Sequence, residues 1–256
     1  MQYEDRYVAL IDIIGFSSWI LSDKTDTCAA TLTAIYAEIR KALLPYEERV
    51  RPGWIQATLF SDTIVLSTRV RPGDTRTEHD VISQFLWCVR KTALILLKHG
   101  FLARGCVLED RLHHDEVLVV GPAIITAHEY ESKVAKYPRI LVIRTLREKM
   151  QQDEKLKLLL RSSADGLRYL HVLHEFQKFF CNVPEIGEQN AEQEVAFRFA
   201  LESRHTIDRS LSAATDTPEH FEKVRWFADY FNGSVSSVYK AQSKTWLKPL
   251  EIDEYY

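Results

Sequence analysis

A chain of 256 residues that is 46% apolar has the material for a continuous buried core, as one large domain or two small ones. Its 33 basic and 36 acidic side chains are interspersed and nearly balanced, which leaves no sustained footprint for DNA or RNA and excludes nucleic acid as an expected partner. No stretch approaches the roughly 20 apolar residues of a membrane helix, and Cys28, Cys88, Cys106 and Cys181 match neither a metal-ligand spacing nor a disulfide framework. A cytoplasmic protein with reduced thiols and no membrane anchor is the expectation.

In chain order, Tyr7 to Ile14 is a short apolar run that stops at Gly15, as a buried strand opening into a turn does. Asp12 falls near its end. The stretch to about Val50 carries Leu32, Ile35, Ile39, Leu43 and Leu44 at helical spacing, and Arg51-Pro52-Gly53 closes it. Trp54 to Thr68 holds two β-rich pieces joined across Ser61-Asp62, so a second acid lies at a tight strand connection. Val81 to His99 reads as a helix stopped by Gly100, followed by a hairpin-like stretch from Leu102 to Val120. Gly121-Pro122 then opens a helix to about Lys136, and Arg139 to Ile143 reads as a strand.

Beyond that, Leu146 to Leu160 looks helical, Leu167 to Leu173 looks like a strand, and Glu192 to Val238 has helical periodicity broken near Asp216-Thr217-Pro218. The fold class expected is α+β: a mixed or antiparallel, ferredoxin-like sheet with helices packed on it, plus a mainly helical C-terminal extension. The expected division is residues 1–145 as a core and 146–256 as an extension that packs on it or forms a dimer.

Two segments carry chemistry. Ile11-Asp12-Ile13-Ile14-Gly15-Phe16-Ser17 sets a carboxylate before a glycine turn, and Leu59-Phe60-Ser61-Asp62-Thr63 sets a second one at a neighbouring strand end. Taken singly, either acid reads as a turn former or helix cap. Together they suit Mg²⁺ or Mn²⁺, which bind a few carboxylates and complete their shells with phosphate and water.

These segments resemble the class III adenylate and guanylate cyclases, whose first metal motif is an apolar strand, Asp, two apolar residues, Gly and Phe. Asp12 to Phe16 matches it residue for residue; Ser61-Asp62-Thr63-Ile64-Val65, Arg104-Gly105-Cys106-Val107 and Val120-Gly121-Pro122-Ala123 are similar to the later motifs. The likeness covers about Tyr7 to Ile143 and implies the class III fold with catalysis by two ions. Asp12 and Asp62 would hold both, with the Ile13 carbonyl as a further ligand, and the Ile14, Gly15, Phe16 and Ser17 amides would cradle phosphate. The ribose 3′-oxygen would attack the α-phosphorus and release pyrophosphate. Arg104 would serve phosphate or base recognition, or would pair along its strand with Glu109 or Asp110.

The departures bear on the base. Where adenylate cyclases place a Lys and an Asp to read adenine, this chain has Thr58 and Leu118; where they place an Asn and a transition-state Arg, it has Ile125 and Glu129. Such a chain resembles the pyrimidine cyclases of the Pycsar antiphage system. That resemblance implies UTP, or CTP, as substrate, a head-to-tail homodimer, and an effector activated by the cyclic product. Lys133 and Lys136 either replace the missing Arg or form a solvated helix face, and Tyr46 and Trp54 flank the expected site. His113-His114 reads as a polar hairpin tip. The alternatives are a nucleotide-binding regulatory module without catalysis and a cyclase for CTP or a purine.

Overall fold

The computed structural model describes residues 2–23, 26–50, 54–71, 76–174, 191–242, 250 and 252, excluding the side chains of 44–50, 191–196 and 238–242. The expected helix stop at Arg51-Pro52-Gly53 and the Tyr46 and Cys181 side chains lie outside these residues. The chain divides into two compact units, Met1–His171 and Val172–Tyr256.

The first unit is built on β1 (Glu4–Ile13), whose unbroken apolar run suits a strand covered on both faces; Tyr7, Val8, Ala9 and Ile11 are fully buried. Two helices follow, α1 (Phe16–Ser22) and α2 (Thr27–Val50), where one helix was expected. The hairpin β2 (Gln56–Phe60) and β3 (Thr63–Arg69) pairs antiparallel with β1 through β3. Helix α3 (Glu78–Lys98) starts in a Thr77–Asp80 capping box. Strand β4 (Ala103–His114) runs antiparallel along the other side of β1, with Asp12 opposite Arg104, and turns into β5 (Val119–Val120).

Helix α4 (Pro122–Lys133) has Pro at its first position and turns Ala123, Ala127 and Glu131 inward at intervals of four. Strand β6 (Ile140–Val142) joins β4 in parallel, and α5 (Arg144–Gln152) and α6 (Glu154–Lys157) precede β7 (Leu160–Ser162) and β8 (Arg168–Leu170). The sheet order is β2-β3-β1-β4-β6-β8-β7, with β5 on β4. This is the mixed α+β architecture expected. The boundary drawn at residue 145 falls inside this unit, because β7 and β8 continue the sheet past it.

The two faces of β1 receive different cover. Tyr7 points to α3, its ring 6.1 Å from that of Phe85. The alternate residues Leu10 and Asp12 share a face with their cross-strand partners Cys106 and Arg104. Cys106 Sγ lies 3.5 Å from the Ala127 carbonyl, which places α4 over that face. In the second unit, α7 (Ala191–Ala214) and α8 (Pro218–Gln242) bury Ala200, Ile207, Leu211, Val224, Phe227 and Phe231. Asn232 clamps Ile252 through both backbone groups, at 2.9 and 2.7 Å. Among the described residues, no helix is long and apolar enough to cross a membrane.

Candidate functional site

Asp12 and Asp62 meet because β1 and the β2–β3 turn end together. The Ile13 amide donates to the Asp62 carbonyl at 3.2 Å. In an antiparallel strand a residue's amide and carbonyl point to the same side, so the Ile13 carbonyl also faces this turn. The turn has two residues, and Ser61 takes a left-handed φ of 55°. That conformation is costly outside glycine and is sustained by surrounding structure. Here Tyr36 of α2 supplies the support, its hydroxyl donating to the Ser61 carbonyl.

Arg104 and Glu131 complete the cluster. Arg104 Nε donates to Asp12 Oδ2 at 2.9 Å, and Arg104 Nη2 lies 2.6 Å from Glu131 Oε1. Glu131, the buried third member of the inward row on α4, escaped the sequence reading, and neither Glu109 nor Asp110 is the partner of Arg104. Glu109 pairs instead with Lys149 at 2.8 Å. Burial pushes the Asp12 carboxyl up to about 6 despite the opposing pull of Arg104, and Glu131 and Asp62 push the same way. Two carboxylates therefore share one guanidinium, and a third, Asp62, lies close enough to Asp12 to repel it.

That imbalance is the test of fit for a divalent cation. Two hard carboxylates and a backbone carbonyl converge where negative charge exceeds positive, the donor set that Mg²⁺ and Mn²⁺ take. Among the described residues no group of three or more His, Cys, Asp or Glu could hold a metal by itself. Asp12, Asp62 and the Ile13 carbonyl would thus hold the ions only with ligands from a bound phosphate and water.

The phosphate cradle is smaller than expected. The Ile14 amide donates to the Leu102 carbonyl at 2.9 Å, which spends it on the β1–β4 ladder. Gly15 adopts a φ of 79° and starts α1, leaving the Gly15, Phe16 and Ser17 amides at the head of that helix. Phe16 is buried, its ring 5.9 Å from that of Trp19.

Thr58 has a partner the sequence did not disclose. Its hydroxyl is 3.0 Å from His114 Nε2, and His114 Nδ1 is 2.8 Å from Ser67 Oγ. His114 is 3% exposed, so it is an interior residue and not the polar tip expected, whereas His113 points the other way to Asp115 at 2.8 Å. Leu118 is exposed in the β4–β5 turn. Ile125 is exposed, Glu129 is exposed and pairs with Lys133 at 3.3 Å, and Lys136 is exposed, so these positions form an outer face. Trp54 is buried, with Arg76 5.0 Å from its ring centre, and belongs to the core.

No family model and no curated protein matches the chain. Solved structures similar to it include the catalytic core of a rhodopsin-guanylyl cyclase with converted specificity in complex with ATPαS: 15% identity, TM-score 0.48, 66% of this chain and 95% of that one. A second is the guanylate cyclase domain of RhGC from Catenaria anguillulae in complex with GTP, at 15% identity and TM-score 0.47 over 65% of this chain and 94% of that one. A third is a bacterial light-regulated adenylyl cyclase, at 10% identity and TM-score 0.45 over 67% and 92%.

Proposed function

We propose that this chain is a nucleotidyl cyclase of the class III type that converts UTP to 3′,5′-cyclic UMP and pyrophosphate. The observation that carries the reading is the meeting of Asp12, Asp62, Arg104 and Glu131 at one end of β1, with an unbalanced negative charge. A pair of Mg²⁺ or Mn²⁺ ions, when bound, supplies charge neutralisation of the triphosphate and a more acidic ribose 3′-hydroxyl. Asp12, Asp62 and the Ile13 carbonyl hold that end of the nucleotide. The Gly15 to Ser17 amides orient phosphate, and Arg104, once released from Asp12, reaches phosphate while Glu131 keeps it within range.

Preference for a pyrimidine is supported by Thr58 and Leu118 in place of an adenine-reading Lys and Asp. The resemblance to the Pycsar enzymes supports a homodimer, a role in antiphage defence and an effector that answers the product. Phe60, 78% exposed beside the Asp62 turn, is an apolar surface that a second copy would cover. Equal concentrations of the four triphosphates with Mn²⁺, followed by mass spectrometry of the products, test the assignment; a purine cyclic nucleotide as main product overturns the pyrimidine part.

One observation favours a regulatory, non-catalytic nucleotide-binding module instead. Ile125 and Glu129 both face solvent and neither they nor Lys133 point to the Asp12 cluster. Binding of triphosphate without turnover distinguishes this reading.

A further inference from the structure

The hydroxyl of Thr58 sits at the end of a directed chain of hydrogen bonds. The chain begins at Arg6, whose guanidinium can only donate. Arg6 is fixed by Glu4 at 3.0 Å and by Gln56, and its Nη1 donates to Ser67 Oγ at 3.0 Å. A hydroxyl can accept twice, but Ser67 is buried and, among the described residues, has only His114 Nδ1, at 2.8 Å, to take its one proton. That leaves the proton of the neutral ring on Nε2, 3.0 Å from Thr58 Oγ1, which accepts it. Arg6, Ser67 and His114 are 5%, 0% and 3% exposed, so water does not scramble the order. Among the described residues the proton of Thr58 itself has no acceptor in this chain of bonds.

We infer that this relay sets Thr58 as a hydrogen-bond donor toward the base and thereby selects a keto oxygen over an amine at the base edge. The inference rests on the proposed reading of Thr58 as a base-facing residue and adds to it a rule: uracil over cytosine, and guanine over adenine. It does not depend on whether pyrimidines or purines fit better. Burial and the nearby Arg6 charge pull His114 down to about 4, against Asp115 and with His113, which keeps the ring neutral at ordinary pH.

Wild type, Thr58→Ser and Thr58→Val are compared for cyclic product from each of the four triphosphates, and the His114 tautomer is read by ¹⁵N nuclear magnetic resonance. The expected result is UTP over CTP and GTP over ATP by roughly tenfold, the scale of one neutral hydrogen bond. Thr58→Ser should keep both ratios, Thr58→Val should bring both near one, and His114 should be neutral with its proton on Nε2. A wild type that favours CTP and ATP, ratios unmoved in Thr58→Val, or a proton on Nδ1 overturns the relay. If no triphosphate is cyclised, the enzymatic reading fails by itself. Calorimetric binding of UTP against CTP with Ca²⁺ then decides: tighter UTP binding, lost in Thr58→Val, supports the relay, and equal binding overturns it.

Discussion

Arg104 holds Asp12 from directly across the β1–β4 ladder, Nε to Oδ2 at 2.9 Å. A cation at Asp12 would compete with this pair for the carboxylate, and Glu131, 2.6 Å from the far side of the guanidinium, would keep Arg104 at the site.

Glu131→Gln keeps the volume and removes the anchor. Turnover should fall on the order of tenfold to a hundredfold through misplacement of Arg104, with the far-ultraviolet dichroism unchanged. Wild-type kcat in the folded variant would show that Glu131 has no part in placing Arg104.

Asp12→Ala and Asp62→Ala should each abolish product formation while the fold persists. Burial has raised the Asp12 carboxyl, so its ionised form is held in the fold at a cost above the ordinary carboxylate range. Metal-free Asp12→Asn at pH 7.5 should therefore unfold at the wild-type temperature or slightly above it in calorimetry. A marked fall in that temperature contradicts the sign.

Gly105 brings the two strands together behind this pair. A Cβ there would sit 2.0 Å from the Leu10 carbonyl oxygen, so Gly105→Ala has to push β4 away from β1. A loss of about 2–3 kcal/mol is expected in urea unfolding, the range of overpacked interiors. A stability change below about 0.5 kcal/mol would mean that the strands adjust freely.

The order from β1 to β6 was legible because each element carries its own signal: the apolar run ending in Gly15, the Ser61-Asp62 connection, the Gly100 stop, and Pro122 at a helix start. The three-residue strands β7 and β8 are too short to show alternation, and Asp153, which caps α6 by accepting from Lys155 and Leu156, broke what looked like one helix. Asp12 and Asp62 were visible as acids at strand ends. Glu131 was not, because a charged residue in a helical pattern is read as outer face; its place in the row Ala123, Ala127, Glu131, at intervals of four, was the available signal. His114 was hidden by its neighbour His113, since only the register of β4 tells which of the two turns inward.

The same histidine gives the fold a pH dependence. A buried neutral His114 with its pKa lowered from 6.5 to about 4 contributes stability that is present above pH 6.5 and is lost as the pH falls toward 4. Between pH 7 and 5 wild type should lose roughly 2 kcal/mol more than His114→Gln does. Urea titrations of both proteins at the two pH values make the comparison, and parallel losses would show that His114 titrates normally.

If a second copy completes the site, specific activity should fall on dilution as the sedimentation coefficient drops toward that of a monomer. Full activity in a monomeric species contradicts the dimer.

The most direct test of the account is the product itself. Purified wild type, Asp12→Ala and Asp62→Ala are incubated with UTP and Mn²⁺, and the mixtures are resolved by mass spectrometry. The account predicts 3′,5′-cyclic UMP with equimolar pyrophosphate from wild type and neither from the two variants. Absence of any cyclic nucleotide from wild type with all four triphosphates, or equal product from the variants, would contradict it.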